Sequence, residues 1–269
     1  MNLCRNLNRS LSRISLGLAL LCVHAEEPSS LNEPAKKEIA MQLVSSAENS
    51  SLDWKAQYAY IEYNVEKNEK ENRGYTAGII GFTSRTHDML ELVRYYQLLA
   101  PTNGLTQFLP ILEKVDGTSS RKGLGEPFMA AWKAAAKDPK FRDAQDHERD
   151  RVYFTPAVQQ AQFDGLHELG QFIYYDAIVM HGLGDQPNSF GGIRTAALKK
   201  AKPPSQGGDE TAYLHAFLDA RRSAMLAEQG HQDTSRVDTM QLKFLREGNL
   251  HLNPPLEFKV YGDSYRIPY

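Results

Sequence analysis

Apolar residues along this chain recur mainly at helical spacing. In residues 35–48, Ile39, Ala40, Leu43, Val44 and Ala47 share one arc, which predicts a first helix. The same period runs through residues 88–99 and 127–137, and through a long stretch at 156–180. That stretch has Pro at its first turn and is apolar on more than one face, so a central helix is expected there. Residues 203–208 read as a loop, after which Asp209 can cap a helix running to about Gln229. A last short helix is expected over 237–247, closed by Gly248. One region breaks the pattern: residues 74–82 are β-rich and punctuated by glycine, a strand or hairpin. The expected fold class is mainly α with a small β-sheet near residues 62–82.

Residues 1–25 differ from everything that follows. Arg5, Arg9 and Arg13 are their only charges, and an apolar run of about ten residues then leads to Val23-His24-Ala25. Glu26-Glu27-Pro28 ends the pattern abruptly. This predicts a secretory signal peptide cleaved after Ala25, with residues 26–269 as a single mature domain, secreted to the extracellular space or periplasm. The full chain has 269 residues, with 31 Lys and Arg against 33 Asp and Glu, for a net charge of -2. Removing the leader takes away three arginines and leaves -5. Both cysteines, Cys4 and Cys22, leave with it, which excludes cysteine catalysis and thiolate metal sites in the mature protein. An acidic balance argues against nucleic acid as partner, and no apolar run of 18 residues exists to cross a membrane. A net acidic exported protein suits a cationic or neutral partner. Nothing in the chain signals oligomerisation, so a monomer is expected.

Two predicted helices carry a charge on their apolar stripe. Leu169, Ile173, Asp176 and Met180 follow a 4-3-4 spacing, as do Leu214, Leu218, Arg221 and Met225. A lone buried charge costs several kcal/mol, so each needs a partner unless it reaches solvent at a helix end. The simplest arrangement pairs Asp176 with Arg221, with Arg236 as a possible third member. Glu48 sits at the margin of the first helix's arc and at its C-terminus, where partial burial and the helix dipole both disfavour a charged carboxylate. That is the condition a general acid needs. Glu62, Glu66, Glu69 and Glu71 crowd the segment before the strand, and one of them can supply a second carboxylate. No HxxxH or HxH pair, Gly-Xaa-Ser-Xaa-Gly, P-loop or dinucleotide fingerprint is present, so neither metal nor cofactor is expected. A glycosidase working with two carboxylates survives these exclusions.

The segment from Ala40 to Trp54, containing Ser45-Ser46-Ala47-Glu48-Asn49, resembles the family 46 glycoside hydrolases, the secreted bacterial chitosanases. The resemblance continues through Arg73-Gly74-Tyr75-Thr76, Gly78-Ile79-Ile80-Gly81-Phe82 and Glu148-Arg149-Asp150-Arg151-Val152-Tyr153-Phe154. It runs on through Tyr174-Tyr175-Asp176, Ser189-Phe190-Gly191-Gly192, Gly207-Gly208-Asp209-Glu210-Thr211, Thr234-Ser235-Arg236 and Asn253-Pro254-Pro255-Leu256. It implies a two-lobed, mainly helical fold related to lysozymes, with chitosan bound in a cleft between the lobes. It also implies endo-hydrolysis of β-1,4-linked glucosamine polymers with inversion. Glu48 falls on the family's general acid and Thr76 on the threonine that holds the attacking water. Asp176, Arg221 and Arg236 match a supporting charge network. Asn49, Tyr60, Arg73, Asp88, Glu228 and His231 match positions that line the cleft. Of these, Asp88 is the expected partner of a glucosamine ammonium.

The chain departs from the family pattern at the general base. An Asp is expected two residues before Arg73-Gly74-Tyr75-Thr76; here that residue is Glu71, in a loop several residues longer than usual. An extra methylene moves the carboxylate by about 1.5 Å, enough to matter in a positioned site. Glu71 is the favoured base, with Glu69 or Glu66 as alternatives if the insertion falls elsewhere. Two competing functions remain open at this stage: a lysozyme-like muramidase, and a chitosan-binding protein impaired by the base change.

Overall fold

The structure, a computed structural model, describes residues 30–65, 67, 72–228 and 233–269. The expected leader lies outside the described residues, as do Glu66, Glu69, Glu71 and His231. Helix α1 (Pro34–Asn49) starts with proline in its first turn, where the missing N–H costs nothing, and buries the predicted arc from Ile39 to Ala47. It stops at Ser50, whose φ of 50° is left-handed.

Three short strands follow as one antiparallel sheet in the order β1 (Ile61–Tyr63), β2 (Tyr75–Ala77) and β3 (Phe82–Thr83). Glu62 lies opposite Thr76, and Thr76 opposite Thr83, so three polar side chains share one face. Tyr75 and Ala77 point the other way and are buried. Behind them lie α2 (Asp88–Leu99), α3 (Leu109–Val115), α4 (Gly125–Ala135) and α5 (Pro139–Arg149). Their core is a chain of edge-on aromatic contacts from Tyr75 through Phe128 and Trp132 to Phe141.

A wide π turn at Asp150–Phe154 leads into α6 (Thr155–Phe163), α7 (Glu168–His181), α8 (Phe190–Leu198) and α9 (Glu210–Ala227). Helix α7 is buried on every face from Glu168 to Ile178, and it packs against α1, α6 and α8. The chain closes with a second π turn at Arg236–Gln241, the short α10 (Leu242–Arg246), and a hairpin of β4 (Leu256–Val260) and β5 (Asp263–Ile267).

Two expectations need correcting. The single helix expected over 156–180 is two, α6 and α7, broken at Asp164–His167. Gly165 makes the break: its φ is +81°, and an added Cβ would lie only 3.0 Å from the Ser205 nitrogen. The buried Asp164 carboxylate then accepts bonds from Arg194 at 2.6 and 2.8 Å and from the Tyr174 hydroxyl at 2.7 Å, fastening the junction to α8. The expected last helix also opens as a π turn rather than α. Helices α3, α5 and α8 and the final hairpin were not anticipated; α5 is too rich in charge for its apolar face to stand out. Among the described residues, no helix is long and apolar enough to cross a membrane.

The expected cap at Asp209 is present, its carboxylate accepting the Ala212 N–H at 2.8 Å. Asp209→Ala should lower stability by about 1 kcal/mol, and Asp209→Ser by less, in urea melts followed by circular dichroism.

Candidate active site

A cavity of about 510 Å³ opens between the sheet and the C-terminal ends of α1 and α7. Glu48 and Asn49 enter from α1, Tyr60, Arg73 and Thr76 from the sheet side, and Arg236 from the second π turn. Six residues predicted from separate stretches of chain thus meet in one cleft. A hollow of about 640 Å³ beside β4 and β5 holds none of the predicted residues.

The wall around Glu48 is built on charge. Arg236 Nη2 donates to Glu48 Oε1 at 2.5 Å and to Asp176 Oδ1 at 2.8 Å, and its Nε lies 3.0 Å from both Asp176 oxygens. Arg221 Nη1 donates to Asp176 Oδ2 at 2.7 Å and to Gln241 Oε1 at 3.0 Å, while Gln241 Nε2 donates to Asp176 Oδ2 at 2.7 Å. The expected trio is therefore real, and Gln241 completes it. Asp176, Arg221 and Gln241 are fully buried, while the Glu48 side chain keeps 28% of its surface. Glu48 is thus more open than a place on the buried arc would make it, and its nearest group is a cation.

Burial alone would push the Asp176 carboxyl up, but Arg236 and Arg221 outweigh it and hold the group below the ordinary carboxylate range. Burial lowers Arg221, whose Nε finds no acceptor among the described residues. Burial also works against Arg236, yet Asp176 and Glu48 hold its guanidinium above the usual value.

The opposite wall is built on hydroxyls. Thr76 lines the cleft, and its buried Oγ1 has no hydrogen-bond partner among the described residues. Gly74, with φ +79°, lets Ser84 approach closely enough to accept the Tyr75 N–H at 3.2 Å, which fixes the strand just before Thr76. Asn72 is 1% exposed and locked by three bonds: its Oδ1 accepts the Gly74 N–H, its Nδ2 donates to Tyr63, and its carbonyl accepts from Arg85. The chain is therefore pinned at the residue that follows Glu71 in sequence.

Asp88 is not where it was expected. It is 4% exposed, does not line the cleft, and already accepts from Thr83 N, Thr86 Oγ1, Met89 N and the Tyr153 hydroxyl at 2.7–3.0 Å. Burial pushes its carboxyl up despite these donors. Rather than facing a substrate amine, Asp88 sits beneath the floor and holds Thr83, Thr86 and Tyr153, which do line the cleft. Glu228 stands at the end of α9, its carboxylate 3.9 Å from His181 Nδ1, and His181 lines the cleft in its place.

Tyr153, His181 and Tyr261 are cleft residues that sequence reasoning did not single out. The alternation of Leu256, Phe258 and Val260 before Tyr261-Gly262 was a usable hairpin signal for the last of them. Among the described residues, no group of three His, Cys, Asp or Glu side chains could hold a metal ion.

The family model described as glycosyl hydrolase family 46 matches residues 42–256. A chitosanase of Streptomyces sp. (strain N174) is 65% identical over 237 residues, covering 88% of this chain and 84% of its own. The chitosanase OU01, solved in co-crystals with substrate, superposes with a TM-score of 0.85 at 56% identity, over 90% of this chain and 100% of that one. The Gynuella sunshinyii GH46 chitosanase GsCsn46A, solved with chitotetraose, gives 0.77 at 33% identity, over 87% and 97%.

The charge network yields a pH signature. A carboxyl held below its unfolded value of about 4 contributes stability above that value and loses it as pH falls through the lower folded value. Asp176→Asn, which leaves the buried Arg221 without an anion and Arg236 with only the partly exposed Glu48, should cost about 3–5 kcal/mol at pH 7. The gap to wild type should narrow as pH drops below about 4, read from denaturant midpoints across pH.

Proposed function

The chain belongs to glycosyl hydrolase family 46 and is a chitosanase with that family's mainly helical, lysozyme-like fold; on this premise we propose how its residues divide the chemistry. Glu48 is the general acid, Glu71 the general base, and the reaction cuts β-1,4 linkages between glucosamine units inside the polymer with inversion. The observation that carries this reading is the pairing of walls across one cleft. A carboxylate held by a cation lies on one side, and a buried hydroxyl without a partner lies on the other.

In this scheme Glu48 protonates the glycosidic oxygen as the bond breaks. The carboxylate it becomes is the anion that Arg236 already faces at 2.5 Å, so the charge generated in the reaction meets a preorganised donor. Thr76 Oγ1 offers both a donor and an acceptor to a water on the far face of the sugar, and a carboxylate beside it removes the proton. Glu71 is favoured over Glu69 and Glu66 because it adjoins the locked Asn72, so the fewest free bonds separate it from a fixed point. Tyr60, Asn49 and Arg73 flank the acid and the hydroxyl and are assigned to substrate. Glu228, whose carboxylate lies 3.9 Å from His181 at the cleft wall, is assigned to the same task, as is His231 on the family match alone. The leader pattern of residues 1–25 supports action outside the cytoplasm.

Hydrolysis of fully deacetylated chitosan, followed by NMR of the new reducing ends, tests the scheme. The α-anomer should appear first. Glu48→Gln and Glu71→Gln should each lower kcat by 10²–10⁴-fold while oligosaccharide binding persists. Glu69→Gln and Glu66→Gln should stay within a few-fold of wild type. Full activity in Glu71→Gln would move the base elsewhere in the loop, and a β-anomer first would exclude inversion.

A further inference from the structure

Tyr261 occupies a backbone position that a tyrosine has no conformational reason to hold. It is the first of the two residues joining β4 to β5, where Val260 pairs with Asp263. Its φ is 52° and that of Gly262 is 91°, the two positive values of a type I′ turn. Asn or Gly suits the first position of such a turn, and a bulky side chain at positive φ is an outlier. Strain of this kind persists where the surroundings over-determine it, and it concentrates at functional sites.

The surroundings do hold this turn in place. The Tyr261 N–H donates to Ser235 Oγ at 2.8 Å, and Thr239 Oγ1 donates to the Lys259 carbonyl at 2.6 Å. The hairpin tip is thereby fastened to the turn that carries Arg236. The residue nevertheless keeps 42% of its surface exposed and forms part of the wall of the cleft, along with Glu48 and Arg236. No described residue hydrogen-bonds its hydroxyl. A side chain only partly buried, its hydroxyl bonded to no described residue, and anchored at the cleft on a strained backbone, is explained by something that enters the cleft.

We propose that Tyr261 is a substrate-positioning residue: its ring forms a platform for a glucosamine unit next to the bond cleaved beside Glu48. A glucosamine ring suits that surface twice over, through the apolar face of its C–H bonds and through the attraction of its ammonium to a π face. The rigid hairpin sets the platform's height above Glu48, so the platform orients the sugar without taking part in proton transfer.

The inference rests on the chitosanase reading, and the test separates the two. Steady-state kinetics on a glucosamine hexamer and thermal melts would be measured for Tyr261→Asn and Tyr261→Phe. Tyr261→Asn should raise KM about tenfold with kcat changed no more than threefold, while Tm stays equal or rises as the turn gains its preferred residue. Tyr261→Phe should keep KM within about twofold, since it retains the ring. Calorimetric titration of the hexamer into Glu48→Gln protein, with and without Tyr261→Asn, reads the same loss without turnover. A KM unchanged in Tyr261→Asn, a Tyr261→Phe variant as impaired as Tyr261→Asn, or a lowered Tm in Tyr261→Asn overturns the platform. A wild-type protein that binds the hexamer without cleaving it overturns the hydrolase reading instead.

Discussion

The cleft depends on one interaction, the Asp176 carboxylate enclosed by two guanidiniums and an amide. Taking these charges out of water costs several kcal/mol each, and the cost is recovered only when geometry and hydrogen bonding are both good. Here Asp176 receives from Arg221, Arg236 and Gln241 at 2.7–3.0 Å, which is good geometry. The arrangement draws together α7, α9 and the turn at 236–241, and through Arg236 it reaches the end of α1. Positions 48 and 236 are brought into contact by a single guanidinium, so the orientation of the proposed acid depends on α7, α9 and the turn at 236–241 together. An apolar core could fill the same space, but it would leave Glu48 with no cation against which to form its conjugate base.

Across the cleft the design is different. Asp88 uses four donors to set Thr83, Thr86 and Tyr153, and Asn72 pins the chain between β1 and β2. Here local hydrogen bonds rather than ion pairs set positions, and the sheet that carries them is only two or three residues deep in each strand. Register does the remaining work: the pairing of Glu62, Thr76 and Thr83 puts three polar groups on the cleft face and the aromatic core on the other.

How much of this was legible in the sequence follows from the range of each interaction. Asp176 and Arg221 were found because an amphipathic helix makes a misplaced charge visible at fixed spacing, and burial then forces the pairing. Glu48 stood out at the margin of the first helix's arc, Thr76 and Arg73 came from long motifs, and the structure brings all three to one cavity. Asp88 was misplaced because an Asp at the first turn of a helix reads the same whether it faces solvent or lies beneath a floor. The donor that decides the matter, Tyr153, is 65 residues away. The break between α6 and α7 was hidden for a related reason. Gly165 sits inside an apolar period that continues on both sides, and the pair of buried Asp164 with Arg194 that fixes the break spans 30 residues.

The two carboxylates assigned to catalysis are therefore supported unequally, and the chemistry explains why a family can tolerate that. Protonating a leaving oxygen requires the acid to match the position of a bond already fixed by bound sugars, so its carboxylate needs a rigid partner, and Arg236 at 2.5 Å is one. In the proposed scheme the base acts on a water, which can move by a fraction of an ångström and to which Thr76 offers both a donor and an acceptor. Its tolerance for an extra methylene is correspondingly larger. What the base side cannot lose is a fixed point from which the loop returns to the strand, and Asn72 is that point. A Glu in place of Asp at position 71 lengthens the side chain by one methylene, and the loop that carries it is several residues longer in sequence than the family pattern. The proposed scheme therefore reads the two departures from the family pattern as a pair, a longer side chain on a longer loop, anchored at the same fixed point.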